Sequence, residues 1–347
     1  MRVQFRRTEV GNPGEAARRE MGKKGKAAAR ERREQRRQEV TLLRAVPYEP
    51  GQRWWDGLAP ERAVAVVTGA NRGIGYEISR QLAHHGLHVV LASRDAARGQ
   101  EAAERLLREA AAAGDASVYV EWRQLDVTDA ASVEAFAAWT ARTHGGIHIL
   151  VNNAGVNFNR GADNSVEFAD QVIETNYFGT KRMIEAMMPL FKPCPYGGRI
   201  VNVSSRLGRA DGRRNRIGDA SLREQLLSDD RLSEELIDGM VMKFLEQVKQ
   251  DTWSSIEWPQ MYTDYSVSKL AVNAYTRFVA RRLLDRPEGQ KIYINCFCPG
   301  WVKTAMTGWE GNISAEEGAD TAVWLALLPQ EQSTIGKFFA ERREMNF

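Results

Sequence analysis

A tyrosine and a lysine four residues apart offer proton-transfer chemistry in this sequence. Tyr265 and Lys269 stand at the start of a periodic apolar stretch that predicts a helix over 265–284, so their side chains should lie on one face. A phenol has an ordinary pKa of about 10, which is poorly matched to proton transfer at neutral pH. A neighbouring ammonium group stabilises the phenolate and lowers that pKa. The pair is therefore compatible with proton transfer, although a Tyr-x-x-x-Lys spacing is expected by chance in a chain with nine tyrosines.

A glycine-rich turn supplies the second chemical signal. An apolar run over 64–68 ends in Thr68, and Gly69, Gly73 and Gly75 precede a helical pattern that begins at residue 76. Backbone amides in such a turn point at bound phosphates, and the positive end of the helix dipole favours their charge. The turn therefore predicts a site for the pyrophosphate of a dinucleotide. An ordinary tight turn is the alternative, because glycines also mark those.

Strands and helices alternate along most of the chain. The patterns predict strands over 64–68, 88–93, 118–125, 147–152, 199–204 and 292–298, and helices over 76–85, 96–113, 132–143, 168–188 and 265–284. This alternation is typical of an α/β fold with a single Rossmann-like, doubly wound parallel sheet and helices on both faces. Ligands of such sheets bind beyond the carboxyl ends of the strands, where polar residues follow the apolar runs of this sequence.

The composition is that of a globular protein with a basic amino-terminal segment. The 347 residues are 43% hydrophobic and 27% charged, and the net charge is +3. Residues 1–44 carry 14 Lys or Arg against 6 Asp or Glu, so this segment is predicted to be a solvated, disordered tail. A patch for an anionic membrane or nucleic acid is an alternative, but no interleaved aromatic residues support nucleic acid. A transit peptide to the chloroplast is another, and Met21 is a possible second start.

A linker and one folded domain are predicted to follow the tail. Residues 45–61 contain proline and glycine around Trp54 and Trp55, whose indoles we expect to anchor the linker on the domain. The domain itself is predicted to span 62–347. No apolar run in it is long enough to cross a membrane.

Cysteine and histidine usage argues against disulfide and metal chemistry. Cys194, Cys296 and Cys298 give no even disulfide framework, which indicates a reducing compartment such as the cytoplasm. The five histidines show no metal-ligand spacing beyond a His84/His88 pair at a helix end, which we attribute to chance, so no metal is assigned. Neither residue type therefore suggests a catalytic role.

Seven short motifs occur in one order along the chain. They are TGANRGIG (68–75), LDV (125–127), NNAG (152–155), TNYFG (175–179), NVSS (202–205), YSVSK (265–269) and CPGWVKT (298–304). In this order they resemble the classical short-chain dehydrogenase/reductases over about residues 62–340. The resemblance implies an oxidoreductase that transfers a hydride between a nicotinamide cofactor and a carbonyl or alcohol.

The resemblance also implies four catalytic residues. Tyr265 would deliver a proton to the carbonyl oxygen, and Lys269 would hydrogen-bond the nicotinamide ribose. The lysine ammonium group and the positive charge of the oxidised nicotinamide would together lower the pKa of Tyr265. Ser205 would hold the substrate oxygen, since the Ser-x-x-Gly register favours it over Ser204. Asn176 would order a water molecule beside the lysine.

An arginine after the second predicted strand favours NADP(H) over NAD(H). Arg94 stands 19 residues after Gly75, where a site for NAD(H) would place an acid on the ribose 2′-hydroxyl. A guanidinium group there suits a 2′-phosphate, and Arg72 adds a second positive charge. Asp95 is the counter-argument, but the residues after it favour a role as the N-cap of the next helix.

Further cofactor contacts are implied by the resemblance at the strand ends. Asp126 would accept a hydrogen bond from the adenine amino group, and Val127 would pack on the ring. The segment after the sixth predicted strand would hold the carboxamide end of nicotinamide. The remaining implied positions are Asn71, Ile74, Asn153, Ala154, Gly155, Pro299, Gly300, Val302 and Thr304.

The chain departs from most classical members by a long segment before the tyrosine. Ser205 and Tyr265 are 60 residues apart, and the insertion between them spans 209–262. It carries a helical apolar stripe, formed by Leu232, Leu236, Ile237, Met240, Val241, Phe244, Leu245 and Val248. Because both ends of the insertion join the active site, we expect it to pack on the domain and in part to roof the substrate cleft.

Such an insertion resembles the carbonyl-reductase-like subgroup, and residues 308–329 resemble its plant branch of neomenthol dehydrogenases and menthone and salutaridine reductases. The resemblance implies a monomer that reduces a bulky, apolar, terpenoid- or alkaloid-like ketone, or oxidises the matching alcohol. Candidate wall residues for the substrate are Phe158, Trp253, Met261 and Trp301. The alternative function is a cofactor-binding interaction protein with residual catalysis that acts through its basic tail.

Overall fold

The computed structural model describes residues 53–58, 62–162, 164–212 and 215–347, together with seven exposed helical residues between 30 and 41. The chain divides into two units, Met1–Tyr48 and Glu49–Phe347. Most of the predicted tail, Met21 included, and most of the predicted linker lie outside the described residues. The fold below is that of the second unit.

One sheet runs through this unit, with the strand order β3-β2-β1-β4-β5-β6-β7-β8 in the described residues. The strands are β1 (Val64–Thr68), β2 (His88–Ser93), β3 (Tyr119–Gln124), β4 (Ile149–Asn152), β5 (Gly198–Val203), β6 (Ile292–Cys298), β7 (Phe338–Ala340) and β8 (Arg343–Met345). All neighbours pair in parallel except β7 and β8. The order reverses between β1 and β4, which is where doubly wound sheets bind dinucleotides. The predicted α/β fold is confirmed.

Helices connect the strands. They are α1 (Gly73–His84), α2 (Ala96–Ala112), α3 (Ala130–His144), α4 (Ala169–Ile173), α5 (Gly179–Met187), α6 (Ala220–Leu227), α7 (Glu234–Lys249), α8 (Thr263–Leu283) and α9 (Ala315–Leu327). A π-helical turn, Glu174–Phe178, joins α4 to α5. Short 3-10 turns lie at Trp54–Leu58, Met188–Leu190, Arg206–Gly208, Ala305–Thr307 and Gln330–Gln332.

The predicted elements form with small shifts at their ends. Every residue of β1 and β4 is buried, as expected for central parallel strands covered on both faces. Asp95 caps α2, since its Oδ1 accepts a hydrogen bond from the Arg98 amide at 3.0 Å. The predicted long helix over 168–188 forms as α4, the π turn and α5 in direct succession, and the π turn within it was not predicted. The strands β7 and β8 were not predicted.

The insertion folds into two helices, α6 and α7, that pack on the domain as expected. Ile237 and Phe244 of α7 are fully buried in the same core as the sheet. Asp238 accepts a hydrogen bond of 2.5 Å from the Tyr177 hydroxyl, and its other oxygen lies 2.7 Å from Lys181 Nζ on α5. The apolar stripe therefore stabilises the domain core. A roof over the substrate cleft stays a prediction.

The tryptophan pair anchors residues 53–58, as expected. Both indoles are buried, and Trp55 Nε1 donates a hydrogen bond to the His85 carbonyl at 2.8 Å, just beyond α1. The Arg199 guanidinium lies 5.2 Å from the centre of the Trp54 ring. Among the described residues, no helix is long and apolar enough to cross a membrane. The three cysteines are buried and free.

Phe244→Ala tests whether the insertion shares the domain core. Phe244 is fully buried and packs edge-on against Trp258 at 5.1 Å, so its loss should lower the free energy of unfolding by about 3–5 kcal/mol. Met242→Ala, on the exposed side of the same helix, should change it by no more than about 0.5 kcal/mol. Urea unfolding followed by circular dichroism measures both. Similar small losses in the two variants would contradict a shared core.

Candidate active site

The carboxyl ends of β1 and β4 are joined by hydrogen bonds around Thr68. Its Oγ1 accepts hydrogen bonds from the backbone amides of Asn153 and Ala154, each at 3.0 Å. In return, Asn153 Nδ2 donates to the carbonyls of Thr68 and Gly69, at 2.9 and 3.1 Å. The two central strands therefore end at a fixed separation, directly beside the glycine-rich turn.

The glycine-rich turn is too tight for side chains. Gly69 has a positive φ of 63°, and a Cβ on it would lie 2.8 Å from the Ala154 Cα. A Cβ on Gly75 would lie 2.4 Å from Asn153 Nδ2. Arg72, the N-cap residue of α1, makes no side-chain hydrogen bond to the first turn of that helix. The first-turn amides of α1 therefore suit the phosphates of a dinucleotide.

Two arginines lie beside this turn. The side chains of Arg72 and Arg94 are exposed, and neither makes a hydrogen bond or ion pair with any residue in the described part of the chain. Asp95, by contrast, is used as a helix cap and lies 3.6 Å from the Arg98 guanidinium. Its predicted role as an N-cap is therefore confirmed. The arrangement leaves two cations, and not a carboxylate, available for an anion.

The residues after β3 are placed at the same edge of the sheet. One oxygen of Asp126 accepts hydrogen bonds from the Thr128 amide and hydroxyl, at 3.0 and 2.7 Å. Val127 is buried against the first residue of α5, since a Cβ on Gly179 would lie 2.7 Å from its side chain. Their contacts to adenine stay predictions.

The segment after β6 reaches over the glycine-rich turn. Val302 is buried and bridges to Ile313, and Gly300 has a positive φ of 93° with Ile313 close to its Cα. A Cβ on Gly73 would lie 3.4 Å from the Thr304 methyl group. Thr304 is therefore in contact range of the turn, which brings two predicted cofactor segments together.

Tyr265 and Lys269 share one face of α8, as predicted. The Lys269 Nζ lies 5.6 Å from the centre of the Tyr265 ring and donates a hydrogen bond of 2.8 Å to the Val203 carbonyl at the end of β5. Ser205 follows two residues later; its Oγ accepts a hydrogen bond from the Leu207 amide at 3.1 Å and lies near enough to the Tyr265 hydroxyl to affect its pKa. Three of the four predicted catalytic residues therefore meet at the ends of β5 and α8.

The electrostatics of this pair differ from the sequence expectation. Burial raises the pKa of Tyr265 well above its ordinary value, with Cys298 adding to the effect, and only the nearby Ser205 hydroxyl opposes it. Burial also lowers the pKa of Lys269 to about 8. The expected lowering of the Tyr265 pKa by Lys269 is therefore not produced by the protein groups. Removal of water disfavours both the phenolate and the ammonium group.

Asn176 lies in the π turn and is completely buried. Its Oδ1 accepts a hydrogen bond from the Val156 amide at 2.7 Å, and its Nδ2 donates to the Val156 carbonyl and to Ser268 Oγ, each at 3.0 Å. A Cβ on Gly155 would lie 3.1 Å from Asn176 Oδ1 and 3.6 Å from the lysine Nζ. The fourth predicted catalytic residue is thus near Lys269, and its water-ordering role stays a prediction. π turns are frequent at functional sites.

The chain is similar in sequence and structure to known proteins. A family model for short chain dehydrogenases matches residues 63–217. The (+)-neomenthol dehydrogenase of Arabidopsis thaliana is 39% identical over 302 residues, which cover 82% of this chain and 97% of that protein. This chain belongs to the short-chain dehydrogenase family. It is therefore an oxidoreductase of the kind that acts on alcohol or carbonyl groups.

Two further relatives agree. Carbonyl reductase (NADPH) 1 of Mus musculus is 36% identical over 289 residues, which cover 82% of this chain and 99% of that protein. The structure of salutaridine reductase from Papaver somniferum aligns with a TM-score of 0.69 and 35% identity, over 80% of this chain and 99% of that one. The resemblance seen in the motifs is confirmed.

The predicted substrate wall of this short-chain dehydrogenase is partly exposed. Phe158, Met261 and Trp301 are exposed apolar side chains, and Phe158 packs on Phe168 with 4.7 Å between ring centres. Trp253 is half-buried against the main core. Their contact with a substrate stays a prediction.

Sequence reasoning missed a buried carboxylate directly before the tyrosine. Asp264 is 1% exposed, and its Oδ1 accepts hydrogen bonds from Asn159 Nδ2 at 2.7 Å and from the Tyr265 amide at 2.6 Å. Burial raises the pKa of Asp264 to about 6, although these hydrogen bonds oppose the rise. An acid in the first turn of a helix is so common that its type alone gave no functional signal.

Asp264 is one of several links between the loop 156–165 and the start of α8. Asn164 accepts a hydrogen bond from the Thr263 amide at 2.8 Å and donates to the Thr263 hydroxyl at 3.0 Å. The Tyr262 hydroxyl donates to the Gly161 carbonyl at 2.8 Å, with Tyr262 at a positive φ of 47°. The loop therefore fixes the first turn of the helix that carries the catalytic tyrosine.

Asp264→Asn tests this buried acid through the pH dependence of stability. The folded-state pKa of about 6 exceeds the ordinary 3.8, so between these values the folded state binds more protons than the unfolded state. The free energy of unfolding of the wild type should therefore fall by up to about 3 kcal/mol, relative to the variant, as pH rises through that range. Urea unfolding at several pH values measures this, with the exposed Asp170→Asn as the control. Parallel curves for wild type and Asp264→Asn would contradict the assignment.

Proposed function

We propose that this short-chain dehydrogenase reduces a carbonyl group on a bulky apolar ketone with NADPH. The observation that carries the proposal is the position of the half-buried Tyr265 phenol, whose ring centre lies 5.6 Å from Lys269 Nζ at the ends of β5 and α8, where Ser205 also lies. A phenol is protonated at neutral pH, because its ordinary pKa is about 10. Reduction needs that form, because the carbonyl oxygen must gain a proton, whereas alcohol oxidation needs a proton acceptor.

NADPH as the cofactor is supported by the charges beside the glycine-rich turn. Arg94 and Arg72 are exposed and have no partner among the described residues, while the Asp95 carboxylate is held by α2. A guanidinium group binds a phosphate with paired, charge-assisted hydrogen bonds. The printed name of the mouse relative, carbonyl reductase (NADPH) 1, gives independent support.

Each catalytic side chain has one task in the proposed reaction. When bound, NADPH supplies the hydride that reduces the carbonyl carbon. Ser205 donates a hydrogen bond to the carbonyl oxygen and orients it, and Tyr265 gives that oxygen its proton. Lys269, held by the Val203 carbonyl, hydrogen-bonds the nicotinamide ribose, and Asn176 holds the loop at Val156 against α8. Solvent restores the proton to Tyr265 after the alcohol forms.

A bulky apolar ketone, terpenoid- or alkaloid-like, is the proposed substrate. Three apolar side chains remain exposed at the candidate wall, Phe158, Met261 and Trp301, and apolar walls with a few polar groups are typical of small-molecule sites. Relatives named for neomenthol and salutaridine support this class.

A cytoplasmic monomer is the proposed state of the enzyme. Three free, buried cysteines fit a reducing compartment. The insertion covers α5 and α8, with Lys181 bonded to Asp238 and Arg277 donating to the Leu226 carbonyl at 2.8 Å, so these faces are already occupied. The alternative role through the basic tail concerns residues outside the described ones.

Tyr265→Phe should abolish ketone reduction while NADPH binding persists. Loss of the proton donor should lower kcat by at least about 100-fold. Because only the hydroxyl group is removed, the cofactor site should keep its shape and NADPH should still bind. NADPH oxidation with a panel of cyclic terpenoid and aromatic ketones measures turnover, and NADPH fluorescence measures binding. Tyr275→Phe, which removes a buried hydroxyl from the same helix, should keep its activity. Loss of both turnover and binding in Tyr265→Phe would show that the residue is structural.

Arg94→Asp should move the cofactor preference toward NADH. The variant loses a charge-assisted contact worth about 1.5–3 kcal/mol, so the ratio of kcat/KM for NADPH to that for NADH should fall by about 10- to 100-fold. Arg108→Asp, an equal charge change at an exposed position of α2, should leave the ratio unchanged. An unchanged ratio in Arg94→Asp would overturn the role of that residue.

A further inference from the structure

Three potential metal ligands meet away from the active site. His88 is the first residue of β2, Glu121 lies in β3, and His144 is the last residue of α3. The Nε2 atoms of both histidines lie 2.8 Å from the same oxygen, Glu121 Oε1. All three ligand atoms lie within 4.8 Å of one another. The residues are far apart in sequence, so ligand spacing gave no sign of them.

The contacts are not those of an ordinary hydrogen-bonded pair. Glu121 Oε1 and His144 Nε2 are buried, yet neither makes a hydrogen bond of normal geometry with any described residue. The nitrogens are thus close to the oxygen without N–H groups aligned on it. Lone pairs of two imidazoles and a carboxylate that converge in this way suit a cation between them.

The rings are fixed and the cluster is open on one side. The two imidazoles pack edge to face at 4.9 Å, and His144 packs in the same way against Trp139 at 5.2 Å. The side chain of His144 is 7% exposed, whereas those of His88 and Glu121 are 29% and 33% exposed. An ion can therefore enter from solvent, and water can complete its coordination.

We propose that His88, Glu121 and His144 form a site for a divalent transition-metal ion, with Zn²⁺ as the best fit. Zinc takes imidazole nitrogen and carboxylate oxygen at about 2.0–2.2 Å, which places tetrahedral ligands about 3.3 Å apart. The two N···O separations of 2.8 Å are about half an ångström shorter than that, so the carboxylate oxygen would move outward as the ion binds. The harder ions Mg²⁺ and Ca²⁺ prefer all-oxygen sites.

The site lies at the amino edge of the sheet. His88 opens β2, and α3 returns to this edge after β3, whereas the glycine-rich turn and Tyr265 are at the opposite, carboxyl edge. A bound ion would therefore link β2, β3 and α3 without touching the reacting groups. Its effect would be on stability and not on hydride transfer.

Zinc titration of the full chain, without a histidine tag and treated with chelator, tests the proposal. Calorimetry should show one Zn²⁺ bound per chain, and the ion should raise Tm. His144→Gln should weaken Zn²⁺ binding by about 100-fold or more and remove the rise in Tm. Co²⁺ in place of Zn²⁺ should give a visible absorption band in the wild type that the variant lacks.

His84→Gln is the matched control. His84 Nδ1 lies 2.7 Å from Asp115 Oδ2, so this variant removes an imidazole–carboxylate pair outside the cluster and should bind Zn²⁺ as the wild type does. Glu121→Gln replaces His144→Gln if the latter fails to fold. Absence of Zn²⁺ binding in the wild type, or equal binding by wild type and cluster variants, would overturn the proposal.

Discussion

The hydrogen bonds that join the ends of β1 and β4 are the constraint on which the site depends. The Thr68 hydroxyl oxygen accepts hydrogen bonds from two backbone amides that follow β4. The Asn153 side chain occupies the space that the missing side chain of Gly75 leaves free. A larger residue at position 75 would force α1 away from β4. The glycine-rich turn and the amino end of α1 take their positions from this contact.

Burial, more than charge, sets the chemistry at the other end of the cleft. Burial disfavours the charged forms of both Tyr265 and Lys269, so it raises the pKa of the phenol and lowers that of the ammonium group. The Val203 carbonyl offsets part of that cost with a hydrogen bond to Lys269. Asp264 also hydrogen-bonds Asn159 of the preceding loop and the Tyr265 amide, which fixes the position of Tyr265 in the first turn of α8.

The amino-acid sequence was enough to predict the features that depend on residues close together in the chain. The apolar runs marked six strands, and the spacing of Tyr265 and Lys269 placed them on one face. The three-residue strands β7 and β8 are too short for a periodic signal, and the π turn at Asn176 has no sequence mark. The direction of the Tyr265 pKa shift depends on burial in the folded chain. The proximity of His88 and Glu121 depends on the order of the strands in the sheet. No local sequence pattern contains either kind of information.

The π turn changes the direction in which the side chains of the following helix, α5, face around the helix axis. One extra residue in a turn offsets everything after it by about 100° around the axis. The half before the turn, α4, faces the catalytic helix α8, while α5 faces α3 and β4. A regular helix of the same sequence would present a single face. Deleting one residue from 174–178 would therefore rotate the buried side chains of α5, such as Met183, away from the core while leaving its helical content intact.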